Sequence, residues 1–269
     1  NGRLRTEGSG DNRTTRNSAE TLAKSLYLVD ELTWGKLILT PGIRLELIDS
    51  DFINHLTGRR DGRHDAIFLP GIGAFYELTE GLGVLAGVHR GFSPIAPGQT
   101  RAVDPEFAIN YEAGFRLWDD TSRFEMIGFI NDYTNLVGDC TFSSGCADTA
   151  VSQQFEGGQV RVFGLEVSGS KEFKTESGIN FSIEAAYTLT VSAFFSNFVS
   201  GNPQFGLVRR GDELPYLPTH QLNATVGVFG ATTNLRWGLF FSALFVDDVF
   251  EKAGRDNNAL DSDKVDDYI

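Results

Sequence analysis

The chain has 269 residues, of which 41% are hydrophobic and 22% charged, a composition typical of a folded protein and not of a disordered one. Its net charge of −13 argues against a nucleic-acid partner, which would require clustered lysine and arginine, and indicates a solvated acidic surface. No apolar run reaches about 18 residues, so transmembrane helices are excluded. A membrane β-barrel is not excluded, because its strands are apolar only at every second position.

Both ends of the chain have the character of internal sequence. Residues 1–17 are polar and contain neither an initiator Met nor an apolar signal segment. Residues 261–269, DSDKVDDYI, have the pattern of a strand that has just begun. We therefore expect this chain to be an internal piece of a longer protein.

Alternation of apolar and polar residues with a period of two dominates the chain, and no helical periodicity competes with it. In residues 82–91, LGVLAGVHRG, leucine, valine or alanine occupies the even positions up to 88, and the odd positions are mainly glycine, with His89 near the end. The same alternation predicts strands at 36–47, 66–79, 108–118, 180–190, 220–228 and 234–245. The segments around Leu26, Phe129 and Phe163 are less regular. A bulge, a patch that contacts another domain or a different register would each explain this.

Short and long connections alternate strictly between the predicted strands. The short ones fall near 34–35, 79–81, 119–122, 174–178 and 230–233. The long ones run over 50–65, 92–106, 138–157, 195–218 and from 249 onward. This pattern is typical of a transmembrane barrel with tight turns at one rim and long loops at the other, whereas a soluble sandwich has no reason to collect its long loops at one end.

Aromatic residues beside the short turns favour the same architecture. Trp34, Trp118, Phe173 and Trp237 predict an interfacial aromatic belt, with ordinary core aromatics as the alternative. Most strands offer about 11–13 residues, more than the roughly 5–6 of soluble sheets and enough to cross a bilayer when tilted. Alternation alone does not separate a membrane barrel from a soluble one, but strand length and loop asymmetry favour apolar faces toward lipid and glycine-rich faces toward a lumen.

The segment from Pro105 to Arg116 carries the pattern Pro-Glu…Asn-Tyr-Glu-x-Gly-x-Arg, which resembles a signature of TonB-dependent outer-membrane receptors. Further matches, in the same order as in the family, are LTPGIRLE from Leu39, FLPGIGAFYELTEGLGVLAGVHRGFSP from Phe68, GLEVSGS from Gly164 and GDELPYLPTHQLNATVGV from Gly211. Within the family, GVHRGFSPIAPG, the cysteine-containing loop and RRGDELPYLPTHQ are most similar to the ferric-siderophore branch, especially receptors of the ferric dicitrate type.

The resemblance implies an all-β fold, a transmembrane antiparallel β-barrel of roughly 22 strands that is filled by an N-terminal plug domain. Residues 1–269 would then be a partial barrel domain of about ten strands, with short periplasmic turns and long extracellular loops. The plug domain and the last strands would be absent from this piece.

The resemblance also implies a function, the uptake of a ferric chelate (a siderophore or ferric dicitrate) into the periplasm by an outer-membrane receptor that is not an enzyme and has no cofactor. The partners that it implies are the chelate, TonB through the missing N-terminal part, and outer-membrane lipid and lipopolysaccharide, with no nucleic acid. A passive porin or a TonB-dependent receptor for cobalamin or a glycan is the alternative in the same setting. A soluble β-sandwich binding module is the alternative of another class.

An anionic ferric chelate would require cationic and hydrogen-bonding side chains at the mouth of the barrel. Where predicted strands meet long loops, the candidate ligand-binding residues are His89, Arg90, Gln99, Arg101, Gln153, Gln154, Arg209 and Arg210. Arg59, Arg60 and Arg63 form a further basic cluster. For each arginine the alternative is a lipopolysaccharide phosphate contact or a solvated loop.

The two cysteines, Cys140 and Cys146, lie six positions apart in a glycine- and serine-containing loop. They could close a small disulfide ring, which fits an oxidising compartment, and two free thiols are the alternative. No nearby histidine completes a metal site, so we expect no metal. Carboxylates and histidines are scattered without a nucleophile, base and orienting group that belong together, so we expect no catalysis.

Overall fold

The computed structural model describes residues 16–99, 103–141, 146, 153–253 and 264–268. In chain order its strands are β1 (Asn17–Val29), β2 (Leu32–Trp34), β3 (Leu37–Asn54), β4 (Arg60–Thr79), β5 (Leu82–Ser93), β6 (Glu106–Trp118), β7 (Ser122–Tyr133), β8 (Val137–Asp139), β9 (Gln154–Glu156), β10 (Val160–Phe173), β11 (Ile179–Phe194), β12 (Phe198–Val199), β13 (Leu207–Val208), β14 (His220–Ala231), β15 (Arg236–Val246), β16 (Val249–Phe250) and β17 (Lys264–Val265). Within these ranges, no helix has the length and apolar character needed to cross a membrane.

Ten of these strands form one antiparallel wall in the order β1-β3-β4-β5-β6-β7-β10-β11-β14-β15, and β2 pairs with β3 beside it. The short pairs β8–β9, β12–β13 and β16–β17 lie in the connections and outside the wall. The prediction of about ten antiparallel strands of a barrel wall is confirmed. A β-sandwich does not fit, because it requires two sheets packed face to face.

The two faces of the wall continue from strand to strand. Val84 of β5 lies opposite Tyr76 of β4 and Phe115 of β6. The next residue, Leu85, points to the other face of the wall. Because register partners point to the same side of a sheet, the apolar positions of all strands join into one face, which we call the outward face. Exposed side chains on it include Ile43, Phe68, Ile72, Val84, Tyr111, Ile130, Phe163, Ile183, Val226 and Leu239.

The connection predicted as a long loop at 50–65 is instead an extended hairpin, so that prediction is wrong. β3 and β4 have 18 and 20 residues and meet at a tight turn after Asn54. The Asn54 side-chain oxygen accepts hydrogen bonds from the N–H groups of Leu56 and Thr57, and Gly58 has a φ of +74°. Both faces of this hairpin carry charged residues above the apolar region, which removes the alternation that reveals a strand in sequence.

Aromatic residues occur on both faces at the end of the wall that carries the short turns. Trp34, Phe173 and Trp237 are exposed on the outward face, where a belt was predicted. Trp118 points inward instead, and its ring centroid lies 6.1 Å from that of Phe75. The prediction that Trp118 belongs to the belt is wrong, because the alternation in β6 gives the outward position to Leu117.

At the opposite end, the long connections pack on one another and form what we call the loop layer, whose described parts are 94–99, 103–105, 134–141, 146, 153–159, 195–219 and 247–253. A cluster of buried apolar side chains lies where this layer meets the ends of β10 and β11, and it consists of Val160, Phe194, Phe205 and Val208. The wall turns its own apolar side chains outward, so this packed core forms among the loops.

Asn202 joins two connections of the loop layer and is fully buried. Its Nδ2 donates to the backbone carbonyl of Asp139 at 3.2 Å, and its Oδ1 accepts from the N–H of Gln204 at 3.0 Å. A buried amide with hydrogen-bond partners at both ends fixes the relative position of the groups it connects.

The turn between β6 and β7 is organised by Asp119. Its Oδ1 accepts hydrogen bonds from the N–H of Thr121 at 2.7 Å, from the Thr121 hydroxyl at 3.0 Å and from the N–H of Ser122 at 2.7 Å. These bonds, above all the one from the Thr121 backbone, lower the pKa of Asp119 to about 2. Lys171 of β10 donates to the hydroxyl groups of Thr121 and Ser122, and these hydrogen bonds connect the turn to the next hairpin.

The Asp119 turn should lose stability in acid. Folding lowers the pKa of this carboxyl from 3.8, so its contribution is complete above about pH 4 and is lost as the pH falls toward 2. Hydrogen exchange at the Thr121 and Ser122 amides, corrected for intrinsic pH effects, should therefore accelerate over this range. Asp119→Asn keeps an acceptor oxygen without a titrating charge and should remove the pH dependence. Persistence of the pH dependence in that variant would show that another group controls the turn.

Asn202→Ala should destabilise the loop layer by about 1–3 kcal/mol, because the Asp139 carbonyl and the Gln204 N–H both lose a buried partner. Asn197→Ala is the matched control. The Asn197 side chain also accepts a hydrogen bond, from the N–H of Arg210, but it is exposed, so water can replace it and the cost should be less than about 1 kcal/mol. Local opening of the loop layer, measured by hydrogen exchange, reports both values. Equal effects of the two substitutions would contradict a connecting role for Asn202.

Candidate ligand-binding site

A cavity of about 460 Å³ opens between three connections of the loop layer, and we call it the loop cavity. Gln99 and Val103 line it from the β5–β6 connection. Residues 153–156 line it from the segment that contains β9, and residues 198–201 from the segment that contains β12. Because three connections contribute, a ligand in this cavity would contact several loops at once.

Three of the predicted ligand-binding residues, Gln99, Gln153 and Gln154, lie together at the loop cavity. The N–H of Gln154 donates to Oε1 of Gln99 at 2.8 Å, and Oε1 of Gln154 accepts from the N–H of Ala96 at 2.9 Å. Gln99 and Gln154 thus use their side-chain oxygens to join two loops. Their first role in the structure is to hold the cavity together.

The β5–β6 connection is also seated on the β3–β4 hairpin. Gly98 has a φ of +85° and lies against the ring of Phe52, where a Cβ atom would be 2.6 Å from a ring carbon. A larger residue would therefore push this loop off the hairpin. The position of Gln99, the next residue, depends on this close contact.

Cys140 and Cys146 are joined by a disulfide, with their Cα atoms 5.8 Å apart. The structure thus contains the ring and not two free thiols. The N–H of the buried Cys140 donates to the carbonyl of Gln153 at 2.9 Å. The ring therefore begins beside the loop cavity and holds the end of the β8–β9 pair.

The adjacent candidates His89 and Arg90 occupy opposite faces of β5, because side chains alternate along a strand. His89 points inward from the wall below the loop layer. Arg90 points outward beside Ile109, its guanidinium carbon 4.3 Å from the centroid of the Phe107 ring, and its Nη1 donates to the carbonyl of Phe68 at 3.3 Å. The prediction that Arg90 points toward the ligand is therefore wrong.

Arg209 and Arg210 lie in an exposed turn after β13. The N–H of Arg209 donates to the carboxylate of Asp212 at 2.8 Å, and the N–H of Arg210 donates to the side chain of Asn197 at 2.7 Å. Neither arginine lines the loop cavity in the described part of the chain. Arg101 lies outside the described residues.

The loop cavity is lined by hydrogen-bonding and aromatic groups. Phe155 and Phe198 supply rings, Gln153 and Ser200 supply polar groups, and Glu156 supplies a carboxylate. Phe155, Phe198, Ser200 and Glu156 were not among the sequence-predicted residues. Long loops have no periodicity, and only tertiary packing brings segments so distant in sequence to one cavity, so no sequence signal marks these residues.

Comparison with known protein families assigns the wall. The family model described as "TonB dependent receptor-like, beta-barrel" matches residues 2–269 of this chain. This range takes in all strands of the wall and the connections that form the loop cavity.

Solved receptor structures of low sequence identity share the fold. The ferric citrate transporter FecA, in its unliganded form, has a TM-score of 0.67 at 22% identity, over 94% of this chain and 37% of FecA. The siderophore receptor PiuA from Acinetobacter baumannii has a TM-score of 0.69 at 17% identity, over 94% of this chain and 36% of PiuA. The ferric yersiniabactin uptake receptor FyuA from Yersinia pestis has a TM-score of 0.65 at 18% identity, over 94% of this chain and 37% of FyuA.

This chain therefore spans little more than a third of the length of these three receptors. An antiparallel wall with an exposed apolar face, long loops collected at one end, and a family match over almost every residue lead to one assignment. The chain belongs to the TonB-dependent receptor family and forms part of its β-barrel.

Proposed function

We propose that this chain is part of an outer-membrane receptor that takes up a ferric chelate into the periplasm with energy supplied through TonB. The observation that carries the proposal is the family match of a wall whose long loops enclose a cavity. FecA, FyuA and PiuA are named as transporters or receptors for ferric citrate, ferric yersiniabactin and siderophores, which favours a ferric chelate over cobalamin or a glycan. The plug domain and the contact with TonB belong to the rest of the receptor.

The outward face supports placement in the outer membrane. A continuous, exposed apolar face on successive strands matches the hydrocarbon of a bilayer. Arg90 and the Arg161–Asp132 ion pair lie in one register row on this face, directly above the apolar row that runs from Val88 through Phe163 to Val191. In this proposal the row marks the start of the headgroup region, where Arg90 contacts a phosphate of lipopolysaccharide.

The loop cavity supports capture of a chelate of low net charge. Among the lining residues that the structure describes are amide, hydroxyl and aromatic side chains and the Glu156 carboxylate, but no lysine or arginine. The described lining holds a ligand by hydrogen bonds and ring contacts, and the charged side chain that it does contain, Glu156, does not favour a polyanion. It favours a neutral ferric hydroxamate over ferric dicitrate.

A strain in which the receptor gene is deleted and the full-length gene is then reintroduced should grow under iron limitation on a neutral ferric trihydroxamate. The same strain should fail to grow on this chelate when TonB is removed. Growth that does not depend on TonB would indicate a passive porin and contradict the proposal. Growth on ferric dicitrate alone would keep the uptake function but contradict the argument from the cavity lining. If the receptor proved to be required only for the uptake of cobalamin or a glycan, a ferric chelate would be excluded as its substrate.

Phe155→Ala should weaken binding of the neutral ferric trihydroxamate to the purified full-length receptor by tenfold or more, because a ring contact of the loop cavity is lost. The double substitution Arg209→Ala with Arg210→Ala should change binding by less than about threefold, because their backbone groups hold the turn and their side chains lie outside the cavity wall. Quenching of intrinsic fluorescence measures both. A larger effect of the arginine pair would place the binding site at that turn.

A further inference from the structure

A seam opens in the wall where β4 and β5 part. The register between these strands begins with Gly71 opposite His89. Above that pair, residues 60–70 of β4 continue with partners on β3, and in the described chain they have no register partner on β5. Pro70, the first residue above the pair, has no N–H to donate, which favours the end of the ladder at this point.

Two arginine side chains cross the seam in place of backbone hydrogen bonds. Arg90 of β5 donates to the carbonyl of Phe68 on β4 at 3.3 Å. Arg63 of β4 donates from Nη1 to the carbonyl of Val103, in the segment that leads into β6, at 2.8 Å. The two oxygens of the Asp65 carboxylate share the single N–H at Nε of Arg63, at N···O distances of 2.9 and 3.1 Å, and so hold that side chain in place.

A cavity of about 590 Å³ lies in the seam. Ala66 and Phe107, which belong to the outward face, line it together with Arg63 and Ile67 of the inward face, so the cavity extends through the thickness of the wall. Glu156 lines both this cavity and the loop cavity. The two spaces are therefore neighbours.

The position of the seam along the strands determines which environment lies outside it. Arg90, at its lower end, lies in the first charged row above the apolar part of the outward face. Higher on the same face, His64 and Asp49 form a hydrogen-bonded pair at 2.6 Å. Charged groups and an incomplete ladder are tolerated in water and among headgroups but not in hydrocarbon. The seam therefore faces an aqueous or headgroup environment.

We propose that the seam is a side opening of the barrel wall. Water and small polar solutes reach the loop cavity through it without entering at the mouth of the barrel. A water molecule takes up about 30 Å³ of liquid, so the seam cavity is wide enough for water and small hydrophilic molecules. The ion pair Arg63–Asp65, with Asp104 and Glu156, gives it a polar lining. This role does not depend on which ligand the loop cavity binds.

A cysteine introduced at a buried position of the seam tests the opening directly. Ile67 is 4% exposed and lines the seam cavity, and both cysteines of this chain are in the disulfide. In a full-length receptor without other free thiols, Ile67→Cys should react with a small, membrane-impermeant methanethiosulfonate. Adding Ala66→Trp, which fills the opening from the outward face, should slow that reaction by tenfold or more. Ala86→Trp, the same change on the outward face away from the seam, should leave the rate within about twofold.

The complementary variant, Arg63→Ala, removes the bridge to Val103 and should raise the reaction rate of the introduced thiol severalfold. Heat-dependent gel mobility shows that each variant has a folded barrel. The proposal is overturned if the Ile67→Cys thiol is unreactive in the folded receptor but reactive after denaturation, or if its rate is unchanged by both Ala66→Trp and Arg63→Ala. An equal slowing by Ala66→Trp and Ala86→Trp would also overturn it.

Discussion

Backbone hydrogen bonding is the constraint on which the rest of this structure depends. In hydrocarbon, an N–H or C=O group without a partner in the protein carries a large free-energy cost. The register pairs that run from β1 to β15 satisfy these groups between neighbouring strands. Once the ladder holds the wall, its side chains need no packed core. One face can be apolar and exposed to lipid while the other carries glycine, polar and charged residues.

The character of the structure changes where the chain leaves the apolar region. There, contacts between side chains and backbone replace the ladder. Asn202 and Gln154 join neighbouring loops, and Arg63 and Arg90 cross the seam. The packed apolar core around Phe194 also lies at this end. The loop layer therefore has the internal organisation of a small folded unit, and that organisation shapes the cavity proposed to bind a chelate.

The wall could be predicted from sequence because its signal is local. A period of two requires only neighbouring residues, and it placed seven of the ten wall strands with most of their outward residues. The alternation was less regular in β1, β7 and β10. It also implied that His89 and Arg90 cannot share a face, although both were proposed to bind the ligand. Trp118 was assigned to the aromatic belt from its place beside a short turn, whereas the alternation along β6 puts it on the inward face. The extended hairpin at 50–65 was missed because charged residues occur on both of its faces.

The loop cavity could not be predicted in this way. Gln99 and Gln154 meet because Gly98 lies against Phe52 and because the β8–β9 pair folds toward that loop. Such contacts depend on the shape of the whole loop layer and leave no pattern in any single segment. The same is true of the seam, where the bridging arginines Arg63 and Arg90 come from separate strands.

The two-faced wall is tested most directly by spin labels at the adjacent positions Val84 and Leu85, one at a time, in the full-length receptor in a lipid bilayer. The label at Val84 should be accessible to oxygen, which concentrates in hydrocarbon, and protected from a water-soluble nickel complex. The label at Leu85 should be poorly accessible to oxygen, because it points into the barrel. High oxygen accessibility at Leu85 with low accessibility at Val84, or free access of the nickel complex to Val84, would contradict the proposed orientation of the wall.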